Sequence, residues 1–212
     1  MGNRGTSQTK IQQADRVGVI EQFFETKLPD HIKNNVNDQH ILSRIDKKQI
    51  MNIVDFTPPF LRIEKMIVFG NEEQIIGTRS IGMGIISQKD TDGHYNKTIY
   101  LAMCGWLMAS SASIHLGVLY PKTAPQVVKA DGVMPLQLPN NKKGLWQPSF
   151  DGTAFFVETQ IKNKKLQLAI AETKISFGDI LYGTIEDLKL VLTPKQSILA
   201  TKTLPPYIRK KG

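Results

Sequence analysis

Cysteine is almost absent from this 212-residue chain: Cys104 stands alone, so no intramolecular disulfide can form. Four histidines, at 31, 40, 94 and 115, are too few and too scattered for any Cys/His zinc spacing. A reducing, cytoplasmic setting is the expectation, with neither metal nor organic cofactor. The amino end lacks the basic, apolar and small-residue succession of a secretory signal, so the first forty residues are expected to belong to the working protein. Met1-Gly2-Asn3-Arg4-Gly5-Thr6 fits a short myristoylation pattern that is common by chance. Acidic residues are scarce: 27 Lys+Arg against 19 Asp+Glu give a formal charge of +8, which favours an anionic partner. The basic residues come in small groups such as Lys47-Lys48, Lys142-Lys143 and Lys162 to Lys165, with no aromatic-interleaved stripe and no helix-turn-helix, zinc or ribonucleoprotein signature. No nucleic-acid partner is expected. Gly82-Met83-Gly84 lacks the third glycine of a dinucleotide loop, and Ser110 and Ser111 lack a nucleophile-elbow pattern.

The composition is otherwise that of a globular chain, with 41% apolar and 22% charged residues and length enough to bury about 70% of the unfolded surface. The pattern divides into a polar extension (1–42), a domain (43–195) and a basic tail (196–212). The extension holds one helical periodicity, Ile11 to Phe24, followed by Pro29 and the linker-like run Asn34 to Asp38. Asp46 with Gln49 three residues on forms a capping-box start for a short helix that Thr57-Pro58-Pro59 stops. Strands follow over Phe60–Phe69 and Gln74–Ile86, the second interrupted by Gly77, Gly82 and Gly84.

After a polar loop, Thr98 to Tyr120 contains no Asp, Glu, Lys or Arg and is apolar nearly all round. It reaches the lower length of a membrane span, but four polar side chains in its second half, Ser110, Ser111, Ser113 and His115, and the lack of a basic flank point to a helix buried in a soluble fold. The remainder reads as strand: Gln126–Leu138, a turn at Asn140 to Gly144, a hairpin of Phe155–Ile161 and Leu166–Ile175 across Lys162-Asn163-Lys164-Lys165, and Ile180–Leu192. A long uncharged helix between two early and several later strands satisfies its surface only inside a curved antiparallel sheet. The predicted class is α+β, a single hot-dog-like layer around one central helix.

Two family resemblances sharpen this. Ile45-Asp46-Lys47-Lys48-Gln49-Ile50-Met51 through Pro59-Phe60-Leu61-Arg62-Ile63-Glu64-Lys65-Met66 resembles the opening of bacterial 3-hydroxyacyl-ACP dehydratases. That resemblance implies a histidine loop and a helix glutamate; here Gly93-His94-Tyr95-Asn96 supplies the loop, but Leu101 stands at the acid position. The same loop, running straight into the apolar helix, is similar to that of long-chain acyl-CoA thioesterases of the FcoT type. This resemblance, carried by His94 and Asn96, implies hydrolysis of an acyl thioester on coenzyme A or an acyl carrier protein; the functional reading of the loop has His94 or Asp92 polarising water, Asn96 orienting it, and amides near Thr98 and Ile99 receiving the developing charge. Tyr95, Thr98, Ile99 and Trp106 are the expected substrate contacts.

Other readings stay open at each residue. Asn96 or Thr98 can serve as a plain N-cap, Trp106 as core, and Asp90 to Gly93 as a solvated turn. Cys104 reads as a packed core residue, His115 as satisfied inside the fold, and Glu158 and Glu172 as exposed or paired across strands. A dehydratase-like lyase or a non-catalytic acyl- or partner-binding module are the alternative functions. The basic groups at Lys142-Lys143 and Lys162 to Lys165 suit coenzyme A phosphates or an acidic carrier. A homodimer or dimer of dimers is expected, because an isolated hot-dog sheet leaves edge strands that pairing covers.

Overall fold

The computed structural model describes residues 16–36, 40–54, 62–71, 73–86, 97–133, 152 and 154–195. Within them, helix α1 (described over 16–24) and α2 (Asp30–Asn35) precede β1 (Ile41–Asp46) and α3 (Lys47–Ile53). Then come β2 (Lys65–Asn71), β3 (Gln74–Ile85), the 23-residue α4 (Lys97–Leu119), β4 (Thr123–Val133), β5 (Ala154–Lys165), β6 (Leu168–Phe177) and β7 (Ile180–Pro194). The strands form one antiparallel sheet in the order β1-β2-β3-β5-β6-β7-β4.

The long helix interrupts the chain between β3 and β4, and β4 returns to the far edge beside β7. The sheet packs on α4 from β3, β4, β5, β6 and β7. This is the hot-dog arrangement, and it follows from the sequence: α4 has no charged residue after Lys97, so only a helix enclosed by apolar strand faces satisfies it. Its membrane-like length therefore reflects burial inside protein. Leu107, Met108, Ala112, Ile114 and Leu116 of α4 share a core with inward residues of β5 to β7 such as Val157, Ile175, Leu188 and Leu190.

Helix α3 starts as expected. Asp46 accepts from the Gln49 amide at 3.0 Å and the Gln49 side chain accepts from the Asp46 amide at 2.9 Å, a complete capping box. α3 lies so close to α4 that a Cβ on Gly117 would overlap the Ile53 side chain.

Several local expectations are corrected. Residues 41–46 form a strand paired with β2, although no alternation marks them; tertiary pairing overrides weak propensity. Asn34 and Asn35, read as linker, end α2. β3 runs unbroken through its glycines, because at Gly84 the Arg62 carbonyl oxygen occupies the place of a side chain and at Gly82 Ile63 and Met66 close in. The β5–β6 turn is Leu166-Gln167, with Lys162 to Lys165 inside β5. A register shift between Ile161 and Asn163 lengthens that strand. The stop at Thr57-Pro58-Pro59 and the turn at Asn140 to Gly144 lie outside the described residues, as do Lys142 and Lys143.

The extension forms a second layer. Ile20, Phe24, Leu28, Ile32 and Val36 pack on the other face of the sheet against Ile67, Phe69, Ile81, Met83 and Phe156. Lys65 fastens it, donating to the Phe23 carbonyl at 2.9 Å and to Glu25 at 2.8 Å. That contact holds the Glu25 carboxyl below its usual pKa, chiefly by hydrogen bonding.

Candidate functional site at the central helix

The two halves of α4 differ. From Ser110 to Gly117 every residue is buried. In the amino-terminal half Cys104, Leu107 and Met108 are buried, whereas Ala102 and Trp106 are exposed and Gly105 and Ala109 half-buried. These four positions recur at helical spacing and form one strip that the sheet does not enclose. Among the described residues a side chain at Gly105 would meet nothing within 4 Å, so they leave space beside Trp106, which is 41% exposed. Trp106 is thus a surface residue of the helix and does not belong to the core.

Thr98 and Ile99 fall in the first turn of α4, where backbone N–H groups have no helical acceptor and the helix dipole is positive. No acidic residue occupies that turn. His94, Asn96, Asp92 and Tyr95 lie outside the described residues; in sequence they immediately precede the helix. Leu101, at the position where the dehydratase resemblance requires an acid, is helical, and α4 carries no carboxylate anywhere along its length.

The enclosed half of α4 holds a polar seam that pattern reading missed. Thr78 and Ser80 on β3, Thr159 on β5 and Thr173 on β6 are buried, as are Ser110, Ser111, Ser113 and His115. Ser111 and Thr159 share a hydrogen bond of 2.9 Å. The Thr78 hydroxyl donates to the Ile75 carbonyl at 2.7 Å and lies 3.0 Å from His115 Nε2. Since the single hydroxyl proton goes to Ile75, Nε2 must be the donor to Thr78, which fixes the tautomer and leaves Nδ1 with a lone pair and no partner among the described residues. Ser80, Ser110, Ser113 and Thr173 likewise have buried oxygens without partners among the described residues. The expectation that His115 is satisfied holds for one nitrogen only. Complete burial drives its pKa down to about 3, so it is a neutral, enclosed imidazole. The signal was present as Ser and His at consecutive turns of an otherwise apolar helix, but their Thr and Ser counterparts on separate strands carried no mark of sharing a face.

Cys104 is fully buried, and desolvation pushes its thiol up to about 12, which excludes a thiolate nucleophile. Glu172 sits between Lys162 at 2.6 Å and Lys174 at 2.7 Å. Glu158 lies 3.5 Å from His31 and accepts from Asn35 at 3.4 Å. Both glutamates therefore serve the outer face of the sheet. Among the described residues no group of three His, Cys, Asp or Glu could hold a metal ion.

No protein-family model matches the chain, and no curated protein matches it in sequence. Among solved structures it is similar to a hot-dog-like protein from Thermanaerovibrio acidaminovorans at 14% identity and a TM-score of 0.45, covering 60% of this chain and 89% of that one. A dehydratase heterocomplex from Xenorhabdus doucetiae is similar at 12% identity and a TM-score of 0.46, over 73% and 97% of the respective chains. A Streptococcus mutans protein bound to acetyl CoA is similar at 6% and 0.39, over 57% and 86%.

Proposed function

We propose that this hot-dog chain is an acyl thioesterase acting on acyl-CoA or an acyl carrier protein, with its chemistry at the amino-terminal end of α4. The observation that carries the reading is the asymmetry of that helix: its carboxyl-terminal half is sealed, while its amino-terminal half presents an unenclosed strip around Trp106, directly after Gly93-His94-Tyr95-Asn96. In this reading the acyl chain lies along Trp106 and Tyr95, and the thioester carbonyl points at the amides near Thr98 and Ile99. His94, assisted by Asp92, takes a proton from water that Asn96 orients. The resulting oxyanion is held by the helix amides. Collapse of the tetrahedral adduct breaks the carbon–sulfur bond, His94 returns its proton to the departing sulfur, and a carboxylic acid and a free thiol leave.

The absence of a carboxylate from α4 weighs against a hydro-lyase, which needs an acid for the departing hydroxyl. The working unit in this reading is a homodimer joined through β4, an edge strand that exposes Val127 and Val128 by 42% and 58%.

The test is thiol release from a panel of short to long acyl-CoA and acyl-carrier thioesters. Release that falls by about 100-fold or more in His94→Ala is expected for loss of a general base. Equal release by the variant, or enoyl absorbance changing with no thiol released, would sink the assignment.

A further inference from the structure

The β5–β6 hairpin ends on a residue the fold does not ask for. Leu166 has φ 54°, a left-handed conformation in which Gly or Asn is comfortable and a branched apolar side chain is strained. It is also 85% exposed, the most exposed large apolar residue among those described. Neither packing nor turn chemistry explains it, and an outlier of this kind points to function.

Its surroundings are mainly basic. The Leu192 amide donates to the Gln167 carbonyl, the Lys195 amide to the Lys122 carbonyl, and Lys164 Nζ lies 5.0 Å above the Tyr120 ring. Three segments, 120–130, 159–171 and 188–195, are thereby gathered at this end of the sheet. Together they carry seven lysines and no Asp, Glu or Arg, Lys162 being paired with Glu172 just outside them. Lys164 also donates to the Leu166 carbonyl at 2.8 Å, and Lys122 and Lys165 are exposed. Leu168 and Val191, paired across β6 and β7, extend the apolar spot at the foot of the turn. β5 pairs with β3 only as far as Gln160, so the hairpin projects past its neighbour.

We propose that this tip is a contact for an anionic lipid surface, with Leu166 entering the headgroup boundary and Lys122, Lys164, Lys165 and Lys195 lying against the lipid charges. Lysines act as point charges suited to diffuse attraction, whereas a built phosphate or nucleic-acid site favours arginine forks. A single protruding leucine suits insertion into an interface better than filling a groove on a protein. The tip lies at the carboxyl end of α4, about 34 Å along the helix from its amino end. The proposal therefore stands apart from the thioesterase reading.

The experiment is co-sedimentation of the full chain with phosphatidylcholine vesicles, with and without phosphatidylserine. The expected result is binding to the serine-containing vesicles only, reversed by salt. Leu166→Asn should cut the bound fraction by about threefold or more with thermal stability equal or higher, and Lys122→Gln/Lys165→Gln should weaken binding in the same direction. No binding to either vesicle, or binding that ignores both variants, would overturn the proposal. So would retention of an acidic carrier protein, but not of vesicles, in a Leu166-dependent way, since the partner would then be a protein.

Discussion

At the scale of single residues, His115 has the clearest energetic consequence. Its folded pKa of about 3 lies below the ordinary 6.5 because burial penalises the imidazolium. Between these values the unfolded chain holds a proton that the native chain does not, so stability rises with pH. The contribution is complete above pH 6.5 and is lost as pH falls toward 3, with a slope of up to about 1.4 kcal/mol per pH unit. Glu172 and Glu25 have pKa values lowered from 4.5, so their stabilising contributions fade only in more acid solution. Denaturant unfolding at pH 7, 6 and 5 should show the slope, and His115→Gln should flatten it; an unchanged slope in the variant would remove His115 as its source. The same residue shows where sequence reading stops. That His115 is inside was legible from an uncharged helix, but its tautomer depends on Thr78 giving its proton to Ile75, a fact no one-dimensional pattern holds.

At the scale of elements, legibility follows how much of an element's stability is local. The ends of α4 and the capping box of α3 were readable because charge depletion and the Asp46–Gln49 spacing are written in consecutive residues. β1 and α2 were not, since six residues of either kind are stabilised by partners elsewhere: β1 by β2 and α2 by the outer face of the sheet. The hairpin turn misled because Lys162 to Lys165 has turn composition while Leu166 does not. The α3–α4 contact is another non-local feature, and it makes a prediction. Gly117→Ala drives a methyl into Ile53 and should cost about 1–3 kcal/mol. Most of that loss should disappear in an Ile53→Ala background, so a double-mutant cycle in urea that gave additive losses would contradict the contact.

At the scale of the whole molecule, the sheet is covered on both faces, by α4 on one and by α1 and α2 on the other. On the outer face Lys65 and Glu158 are engaged by the extension, and Glu172, Lys162 and Lys174 pair with one another. Among the described residues β1 and β4 each pair on one side only, and β4 exposes Val127 and Val128. If two copies join there, sedimentation velocity should report a dimer for the native chain and a monomer for Val128→Lys, which sets like charges against each other at the junction. One and the same species for both proteins would place the junction elsewhere or nowhere.

The outer layer also imposes an order of events during synthesis. The Asp30 amide is held by the Asp179 carboxylate at 2.8 Å, 149 residues later in the chain, and Phe24 rests edge-on against Phe156. Phe24 and Asp30 thus gain these two partners only after β5 and β6 have been translated, although β2 and β3 offer Ile67, Phe69, Ile81 and Met83 to the row of Ile20, Phe24, Leu28 and Ile32 earlier. Until β2 and β3 have emerged this apolar row is a substrate for whatever holdase the cell provides, and slow elongation between residues 36 and 85 lengthens that dependence.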